Sequence, residues 1–327
     1  MQNNAKYIFI TGCAGFIGFH LTKRLLDEGF SVLGMDDMND YYDTSLKYDR
    51  LKIVMKHPHF RFVKGSIENI ELLEKLFSQY DVDTVVNLAA QPGVRYSLKN
   101  PHKYIQANVV GFANILECCK KHKIRHLIYA SSSSVYGNNK NAPFSVADRT
   151  DSPVSLYAAT KKANELMAYT YSHLYRLPTT GLRFFTVYGP WGRPDMALFK
   201  FANAIVKQQP IEIYNYGNMK RDFTYVDDVT ESILRLIDKG PSTESPYKIY
   251  NIGNNQPVQL NYFIEVLEEH LGKKAIKKLL PMQPGDVPET FADIDELVKD
   301  INYKPKVSIE EGIKRFVEWF KDYYKIN

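Results

Sequence analysis

An alternation of short β-rich runs with longer helical patterns constrains the fold of this chain more than any other feature. From residue 6 onward, the runs KYIFITG, SVLGMDD, RFVKGS, DTVVNLAA and HLIYASSSSVYG are separated by stretches with helical periodicity. This rhythm is typical of repeated βαβ units, whose parallel strands form one sheet with helices on both faces. We therefore predict an α/β fold with a doubly wound parallel sheet, which binds ligands at the carboxyl ends of its strands.

Composition argues against several other classes of protein. The 42 basic and 37 acidic residues give a formal charge of +5, and no basic stripe carries interleaved aromatics, so we expect no nucleic-acid partner. No stretch approaches the roughly 20 apolar residues that a membrane span needs, so we expect no membrane partner. The three cysteines, Cys13, Cys118 and Cys119, lack the spacing of metal ligands. We therefore expect no metal site and a reduced, cytoplasmic environment.

The segment TGCAGFIG places Gly12, Gly15 and Gly18 between a predicted strand and a predicted helix. Glycines at such a turn let the backbone approach a pyrophosphate, and amides at the helix N-terminus attract its charge. The second strand ends at Asp36, whose carboxylate can accept hydrogen bonds from ribose hydroxyls and would repel a 2′-phosphate. This combination favours NAD over NADP, although glycines that only turn the chain would give the same loop pattern.

Four serines, residues 131–134, end a predicted strand where aliphatic side chains would normally pack. In the next predicted helix, Tyr157 and Lys161 are four residues apart and so lie on one face. A nearby ammonium and a nicotinamide cation would both lower the pKa of Tyr157, which makes it a suitable general base. A polar strand end and a surface Tyr–Lys pair would explain these features separately. Beside a loop for NAD, they together predict a site that removes hydride and a proton from an alcohol.

These motifs make the chain similar to the extended short-chain dehydrogenase/reductase family over essentially its full length. The resemblance rests on TGCAGFIG, NLAAQPGVRYS, SSSSVYG, YAATK and RDFTYVDDV. Within the family, LRFFTVYGPWGRPDMALFKF and QPGDVPETFAD most resemble the UDP-glucuronate 4-epimerases. The resemblance implies a Rossmann-type NAD-binding domain in residues 1–180, with later segments interleaved, and a smaller nucleotide-sugar-binding lobe in residues 181–327.

The implied reaction interconverts UDP-glucuronate and UDP-galacturonate through a transient 4-keto sugar, with NAD tightly bound. By resemblance, Tyr157 takes the proton from the hydroxyl on sugar carbon 4, and Ser132 hydrogen-bonds the same oxygen. Lys161 holds the nicotinamide ribose and lowers the pKa of Tyr157. Besides Tyr157 and Lys161, the expected contacts to NAD are Gly12, Gly15, Phe16, Ile17, Gly18, Asp36, Ser66, Ile67, Leu88, Ala89, Ala90 and Asn108.

For the sugar, we expect the hydroxyls of Ser133, Ser134 and Thr186 to hold the uronate carboxylate. A 4-keto glucuronate is a β-keto acid, and this grip would keep its carboxylate in an orientation that resists decarboxylation. Arg193 and Arg221 match family positions near the diphosphate, where guanidinium groups suit phosphate oxygens. Each could equally be a surface arginine.

Two more substrate contacts and two departures from the family pattern complete the expected site. The resemblance places Tyr214, in IEIYNY, against the uracil, although a packing role suits it nearly as well, and it adds Arg95 in GVRYS. Relatives commonly carry Asp at the position of Ser66, so NAD would be held differently there. UDP-galactose 4-epimerases carry an arginine where Gln283 stands, which points away from a plain hexose epimerase.

Other functions are compatible with the same residues. The catalytic triad would also serve epimerisation of UDP-N-acetylglucosamine or UDP-glucose, or decarboxylation of UDP-glucuronate, and a chain without catalysis could sense nucleotides. The resemblance further implies a homodimer formed through helices. The predicted helix from about His102 to Lys121 offers Val109, Phe112, Ala113 and Leu116 for that contact, although a helix packed on the sheet explains the same residues.

Overall fold

The computed structural model describes residues 6–139, 141–242, 244, 246–283 and 287–326. Its strands are β1 (Tyr7–Thr11), β2 (Ser31–Asp36), β3 (Phe60–Lys64), β4 (Val82–Asn87), β5 (His126–Ser132), β6 (Thr179–Phe184), β7 (Thr186–Tyr188), β8 (Pro210–Ile213), β9 (Lys220–Tyr225), β10 (Tyr247–Ile252), β11 (Pro257–Gln259) and β12 (Ile276–Leu279). Seven of them form one parallel sheet in the order β10-β6-β5-β4-β1-β2-β3. The predicted doubly wound parallel sheet is therefore confirmed.

Helices cover the sheet and fill the second half of the chain. They are α1 (Phe16–Asp27), α2 (Ser45–Val54), α3 (Ile70–Gln79), α4 (Val94–Lys99), α5 (Pro101–Tyr104), α6 (Gly111–Lys121), α7 (Leu156–Tyr175), α8 (Ala197–Val206), α9 (Val226–Asp238), α10 (Leu260–Leu271), α11 (Asp295–Ile301) and α12 (Ile309–Tyr324). The helical patterns that the sequence shows near residues 195–208, 227–239, 258–271 and 308–323 correspond to α8, α9, α10 and α12. Within the described ranges, no helix is both long and apolar enough to cross a membrane.

The order of the strands creates a crevice at their carboxyl ends. Because β1 lies between β2 and β4, the connections that leave β1 and β4 diverge, and ligands of such sheets bind in the space between them. The strands beside this crevice, β1 and β4, are buried along nearly their whole length, since both faces of the sheet are covered. The crevice therefore lies beside the glycine-rich loop that follows β1.

The second half of the chain contributes both to this sheet and to two smaller ones. Its β10 pairs with β6 as an edge strand of the large sheet, while β11, β9 and β7 form a three-stranded sheet and β12 and β8 a two-stranded one. The boundary drawn at residue 180 falls within β6. The division of the chain into two lobes stays a prediction.

The helix predicted from about His102 to Lys121 is interrupted by a π-helical turn. Residues Ile105–Val110 form this turn between α5 and α6. Two side chains proposed for a dimer contact, Phe112 and Leu116, are 1% and 0% exposed and pack in the protein's own core. They are therefore not available to a second subunit.

Replacing His126 by phenylalanine is expected to flatten the acid dependence of stability. The His126 ring is fully buried on β5, with Nε2 2.8 Å from the Thr180 hydroxyl. Burial lowers its pKa from 6.5 to about 4, so the folded state binds fewer protons than the unfolded state between these values. Its contribution to stability is present above pH 6.5 and is lost as the pH falls toward 4, by about 2 kcal/mol between pH 7 and pH 5.

Urea unfolding at pH 7 and pH 5 measures this difference for the wild type and His126→Phe. The exposed His59, changed to Phe in the same way, is the matched control and should leave the dependence unchanged. Equal losses of stability in the wild type and His126→Phe would show that this histidine is not the group that titrates.

Candidate active site

The glycine-rich loop after β1 has a geometry that other residues cannot adopt. Gly12 has a φ of +71°, and a Cβ there would lie 2.8 Å from the amide nitrogen of Ala89. A Cβ on Gly18 would lie 2.1 Å from the carbonyl oxygen of Gly12. The loop after β4 meets it from the other side, where the amide of Leu88 donates to the Thr11 carbonyl and that of Ala89 to the Thr11 hydroxyl, both at 3.2 Å. The two loops thus form one continuous wall of the crevice.

The N-terminus of α1 is open to an anion. Gly15 occupies the cap position and supplies no side-chain acceptor, so the amides of the first turn, from Phe16 to Gly18, lack the usual cap. Such amides bind phosphate groups together with the positive end of the helix dipole. The loop and this helix start therefore suit the diphosphate of a dinucleotide, as the sequence predicted for NAD.

Asp36 lies at the end of β2, where it was predicted, and its carboxylate organises the loop. It accepts hydrogen bonds from the amides of Ala14 (3.1 Å) and Met38 (2.9 Å), and Lys47 Nζ lies 3.4 Å from the same group. Both Asp36 and Lys47 side chains are 5% exposed, so this is a buried ion pair. Lys47 was not identified from the sequence, because nothing in α2 marks it as a neighbour of β2. The contact of Asp36 with a ribose stays a prediction.

The remaining residues predicted to contact NAD lie near the same crevice. Asn108 falls in the π-helical turn, and its side chain bonds the backbone of Gln91, with the amide of Gln91 donating at 2.7 Å. Short π-helical turns occur often at functional sites. The Ser66 hydroxyl accepts a hydrogen bond from the amide of Glu68 at 3.2 Å, so it is engaged within its own turn. The side chain of Ile67 is buried.

The first two of the four serines end β5 and face opposite ways, because adjacent side chains on a strand point to opposite faces. Ser131 points away from the crevice and donates to Glu165 at 2.7 Å. Ser132 points into it, and its Oγ accepts from the amide of Ser134 at 3.1 Å. Ser133 and Ser134 then begin a 3₁₀ turn and are partly exposed. Ser131 is therefore structural, and the other three are available to a ligand.

Helix α7 carries Tyr157 and Lys161 to the same place. The Ser155 hydroxyl caps its first turn by accepting from the amide of Ala158 at 3.1 Å. Lys161 is 3% exposed, and its Nζ donates to the carbonyl oxygen of Ala130 on β5 at 2.8 Å. The Tyr157 phenol interacts with the Ser132 side chain. The predicted triad is thus assembled at the carboxyl end of β5.

Burial changes the pKa values of both Tyr157 and Lys161. Burial raises the pKa of the Tyr157 phenol, and the hydrogen bond with Ser132 and the charge of Arg193 offset this only in part. Burial also lowers the pKa of Lys161 from 10.5 to about 8, so its ammonium is still charged at neutral pH. The expected lowering of the pKa of Tyr157 by Lys161 and a nicotinamide cation together stays a prediction.

An ion pair next to the triad was not identified in full from the sequence. Arg193 Nε lies 3.0 Å from Asp195 Oδ1, and Nη2 lies 2.5 Å from Oδ2. The Tyr41 hydroxyl donates to the same carboxylate at 3.1 Å. Burial alone would raise the pKa of Asp195, but the charge and hydrogen bonds of Arg193 outweigh it, so the pKa lies below its usual value. Of these residues only Arg193 was predicted, because no local sequence pattern links NDYYD, after β2, with GRPD.

The other residues predicted for the substrate lie in separate parts of the chain. Thr186 begins β7, two residues beyond Phe184, which pairs with Ser132 in the large sheet. The Arg95 guanidinium lies 4.9 Å from the centre of the Tyr214 ring, so these two predicted contacts are neighbours. The sequence predicts a strand over IEIYNY that ends near Tyr214, but β8 stops at Ile213 and Tyr214 begins a 3₁₀ turn.

Arg221 lies on β9, and its guanidinium donates to the carbonyl oxygens of Lys220 at 2.8 Å and Pro288 at 3.1 Å. In the described part of the chain, no group of three His, Cys, Asp or Glu side chains is placed to hold a metal ion.

Comparison with known proteins supplies a family and a reaction. Residues 8–253 match the model of the NAD dependent epimerase/dehydratase family. The chain is 58% identical to protein CapI of Staphylococcus aureus, over 97% of this chain and 99% of that protein. It is 50% identical to a probable UDP-glucuronate 4-epimerase of Rhizobium meliloti, over 97% of each chain.

A solved structure resembles the whole chain. It is the UDP-glucuronic acid 4-epimerase from Bacillus cereus in complex with UDP-glucuronic acid and NAD, with a TM-score of 0.91 and 33% identity. The alignment covers 97% of this chain and all of that one.

Proposed function

The chain belongs to the NAD-dependent epimerase/dehydratase family, and we propose that it is a UDP-glucuronate 4-epimerase with tightly bound NAD. The observation that carries the proposal is the assembly of Ser132, Tyr157 and Lys161 at the strand end beside the glycine-rich loop. The similarity to an enzyme solved with UDP-glucuronic acid and NAD supports this choice over the neutral sugars.

In this proposal Tyr157 accepts the proton of the hydroxyl on sugar carbon 4, while Ser132 hydrogen-bonds the same oxygen. When bound, NAD would accept the hydride from sugar carbon 4 and, in its reduced form, would return it after the sugar has turned. The 4-keto sugar turns about its diphosphate linkage, so that the hydride returns to the opposite face and Tyr157 returns the proton. Net redox is zero, and the enzyme needs no second substrate.

The charges around Tyr157 decide whether it can act as a base. Burial favours the protonated phenol, so base action requires positive charge close to it. Lys161, Arg193 and the nicotinamide ring provide that charge in the proposal. Arg193 already lowers the pKa of Tyr157, and Lys161 is buried on the same side of α7.

Replacing Ser133 and Ser134 together by alanine is expected to divert turnover toward a UDP-pentose. We propose that these hydroxyls and Thr186 hold the uronate carboxylate away from the orientation in which a β-keto acid loses carbon dioxide. Without them, the fraction of decarboxylated product should rise at least about tenfold, since each tenfold change in partition needs only about 1.4 kcal/mol. Chromatography with mass detection measures the ratio of UDP-pentose to UDP-galacturonate.

The matched control for that variant is Ser131→Ala, because Ser131 lies on the opposite face of β5. It should leave the product ratio unchanged. An unchanged ratio of UDP-pentose to UDP-galacturonate in the double variant would show that Ser133 and Ser134 do not protect the uronate from decarboxylation.

The function itself is tested with purified protein, without added reductant, incubated separately with UDP-glucuronate, UDP-N-acetylglucosamine and UDP-glucose. We expect UDP-galacturonate, at unchanged mass, from the first. Loss of carbon dioxide as the main outcome would identify a decarboxylase. Turnover of the neutral sugars alone would contradict the uronate specificity, and bound NAD without any turnover would favour a sensor.

We also propose a homodimer, a cytoplasmic location and a role in supplying polysaccharide precursors. The packed α5–α7 region exposes the apolar side chains of Ile105, Val110 and Leu166, which offer a contact surface in place of Phe112 and Leu116. A monomer in sedimentation at micromolar concentration would contradict the dimer. Cell fractionation tests the location, and the galacturonate content of surface polysaccharide in a deletion strain tests the role.

We further propose that residues 1–180, together with the interleaved β10, form the NAD-binding domain and that the rest of residues 181–327 forms the nucleotide-sugar-binding lobe. The contacts of Arg193, Tyr214 and Arg221 with a UDP-sugar belong to this proposal. Substitution of each residue should raise the KM for UDP-glucuronate without lowering the NAD content of the purified protein.

A further inference from the structure

Arg50, on α2, joins the glycine-rich loop to the segment that carries Arg193. Its guanidinium donates four hydrogen bonds, to the carbonyl oxygens of Ala14 (2.8 Å), Trp191 (2.6 Å) and Gly192 (3.2 Å) and to the Tyr42 hydroxyl (2.8 Å). Ala14 lies inside the loop for NAD, and Trp191 and Gly192 immediately precede Arg193. One side chain therefore bridges the proposed cofactor site and the proposed substrate site.

The bridge is buried and carries a charge. Arg50 is 0% exposed, and its Nε is a buried donor without a hydrogen-bond partner among the residues described. All four acceptors are neutral oxygens, so the hydrogen bonds do not neutralise the charge. Burying a charge in this way is costly, and a binding role is a reason to retain it. The diphosphate expected at the adjacent helix start is an anion that this charge would favour.

The segment bridged by Arg50 is supported on its other side as well. The Trp191 ring packs against Trp319 and Tyr323 of α12, with ring centres 5.2 Å and 5.0 Å away. The Tyr323 hydroxyl in turn donates to Asp49 of α2 at 2.6 Å. Since α2 and α12 hold the segment between them, a change at Arg50 should be transmitted to Arg193 and not absorbed by a loose loop.

We propose that Arg50 is a positioning residue that couples the occupancy of the glycine-rich loop to the grip of Arg193 on the substrate diphosphate. The inference rests on the proposed function only for the identity of the two ligands. Coupling between two binding sites is reciprocal, so a ligand on Arg193 should slow the loss of NAD, and NAD should tighten binding of that ligand. Without Arg50 the two sites should bind independently.

The test measures NAD release from the purified holoenzyme, with and without saturating UDP, by quantifying protein-bound NAD after rapid desalting at a series of times. In the wild type we expect UDP to slow the release about tenfold, within the usual range of coupling between sites. In Arg50→Lys, whose compact ammonium lacks the two spaced Nη groups that reach these acceptors, the slowing should fall below about twofold. UDP affinity with and without NAD should show the same loss of coupling.

Arg61→Lys is the matched control, because Arg61 also bonds carbonyl oxygens, those of Pro58 and Phe60, but within its own segment. It should keep the full effect of UDP. If Arg50→Lys does not fold, Tyr42→Phe removes one acceptor from the bridge and should still weaken the effect. A lower melting temperature with an unchanged effect of UDP would show a merely structural role and overturn the proposal.

Two further outcomes separate this inference from the proposed function. Absence of any UDP effect in the wild type would overturn the coupling while leaving epimerase activity to its own test. Conversely, a chain that binds UDP and NAD cooperatively but converts no sugar nucleotide would contradict the function and uphold the coupling.

Discussion

Tyr157→Phe is expected to lower kcat for UDP-glucuronate by about 10³-fold or more, because general acid–base catalysis by one side chain contributes about 10² to 10⁴. The change removes one oxygen at the point where Ser132 meets the helix α7. Binding of NAD and of UDP should be retained, since the ring and its surroundings stay in place. The measurement is the rate of UDP-galacturonate formation together with the NAD content of the purified variant.

Tyr171→Phe is the matched control on the same helix. Its hydroxyl bonds Glu117 on α6, far along the helix from the triad, so turnover should be close to that of the wild type. A Tyr157→Phe variant with more than a tenth of wild-type turnover would exclude Tyr157 as the base. The nearby Tyr104, whose ring centre lies 6.1 Å from that of Tyr157, would then be the next residue to examine.

Arg183→Met is expected to destabilise the fold by about 3–5 kcal/mol, because it leaves a buried carboxylate without its buried guanidinium partner and with only the partly exposed Lys162, 3.5 Å away, to pair with it. Arg183 on β6 and Glu165 on α7 are 3% and 1% exposed, with Nε–Oε1 and Nη2–Oε2 distances of 2.8 Å and 3.0 Å. Arg183 also donates to the Tyr136 hydroxyl at 3.0 Å, and Ser131 donates to Glu165. Although burial opposes its charge, the bonds to Glu165 raise the pKa of Arg183.

Urea unfolding at neutral pH measures this loss of stability. Arg24→Met is the control, because Arg24 is 41% exposed and its ion pairs with Glu28 and Glu231 lie at the surface, so the loss should stay below about 1 kcal/mol. A loss of less than about 1 kcal/mol for Arg183→Met would show that water or a rearranged neighbour satisfies Glu165.

Much of the fold and the centre of the site could be predicted from local patterns. The βαβ rhythm predicted the parallel sheet, because each strand and helix shows its own periodicity. The spacing of Tyr157 and Lys161 and the glycines of the loop identified groups that lie close in sequence. Both features depend only on residues within one helical turn or one strand-to-helix loop, so a local pattern is enough to identify them.

Other parts of the site depend on contacts that no local pattern reveals. The sequence did not divide Ser131 from its three neighbours, which required knowing which face of β5 meets the crevice. Nor did it show that burial would raise the pKa of Tyr157, because that effect depends on all the chain packed around the phenol.

By itself, the sequence determined the strand and helix order, the loop for a dinucleotide and the Tyr–Lys pair, since these follow from neighbouring residues and from alternating periodicity. Only the tertiary structure decided that Tyr41 meets Asp195, 154 residues away, and that Arg50 meets Trp191, 141 residues away. These contacts arise because the crossovers of the sheet bring distant segments to one edge. The physical reason is that hydrogen bonds and buried charges are set by distance in space, which the order of residues along the chain does not specify.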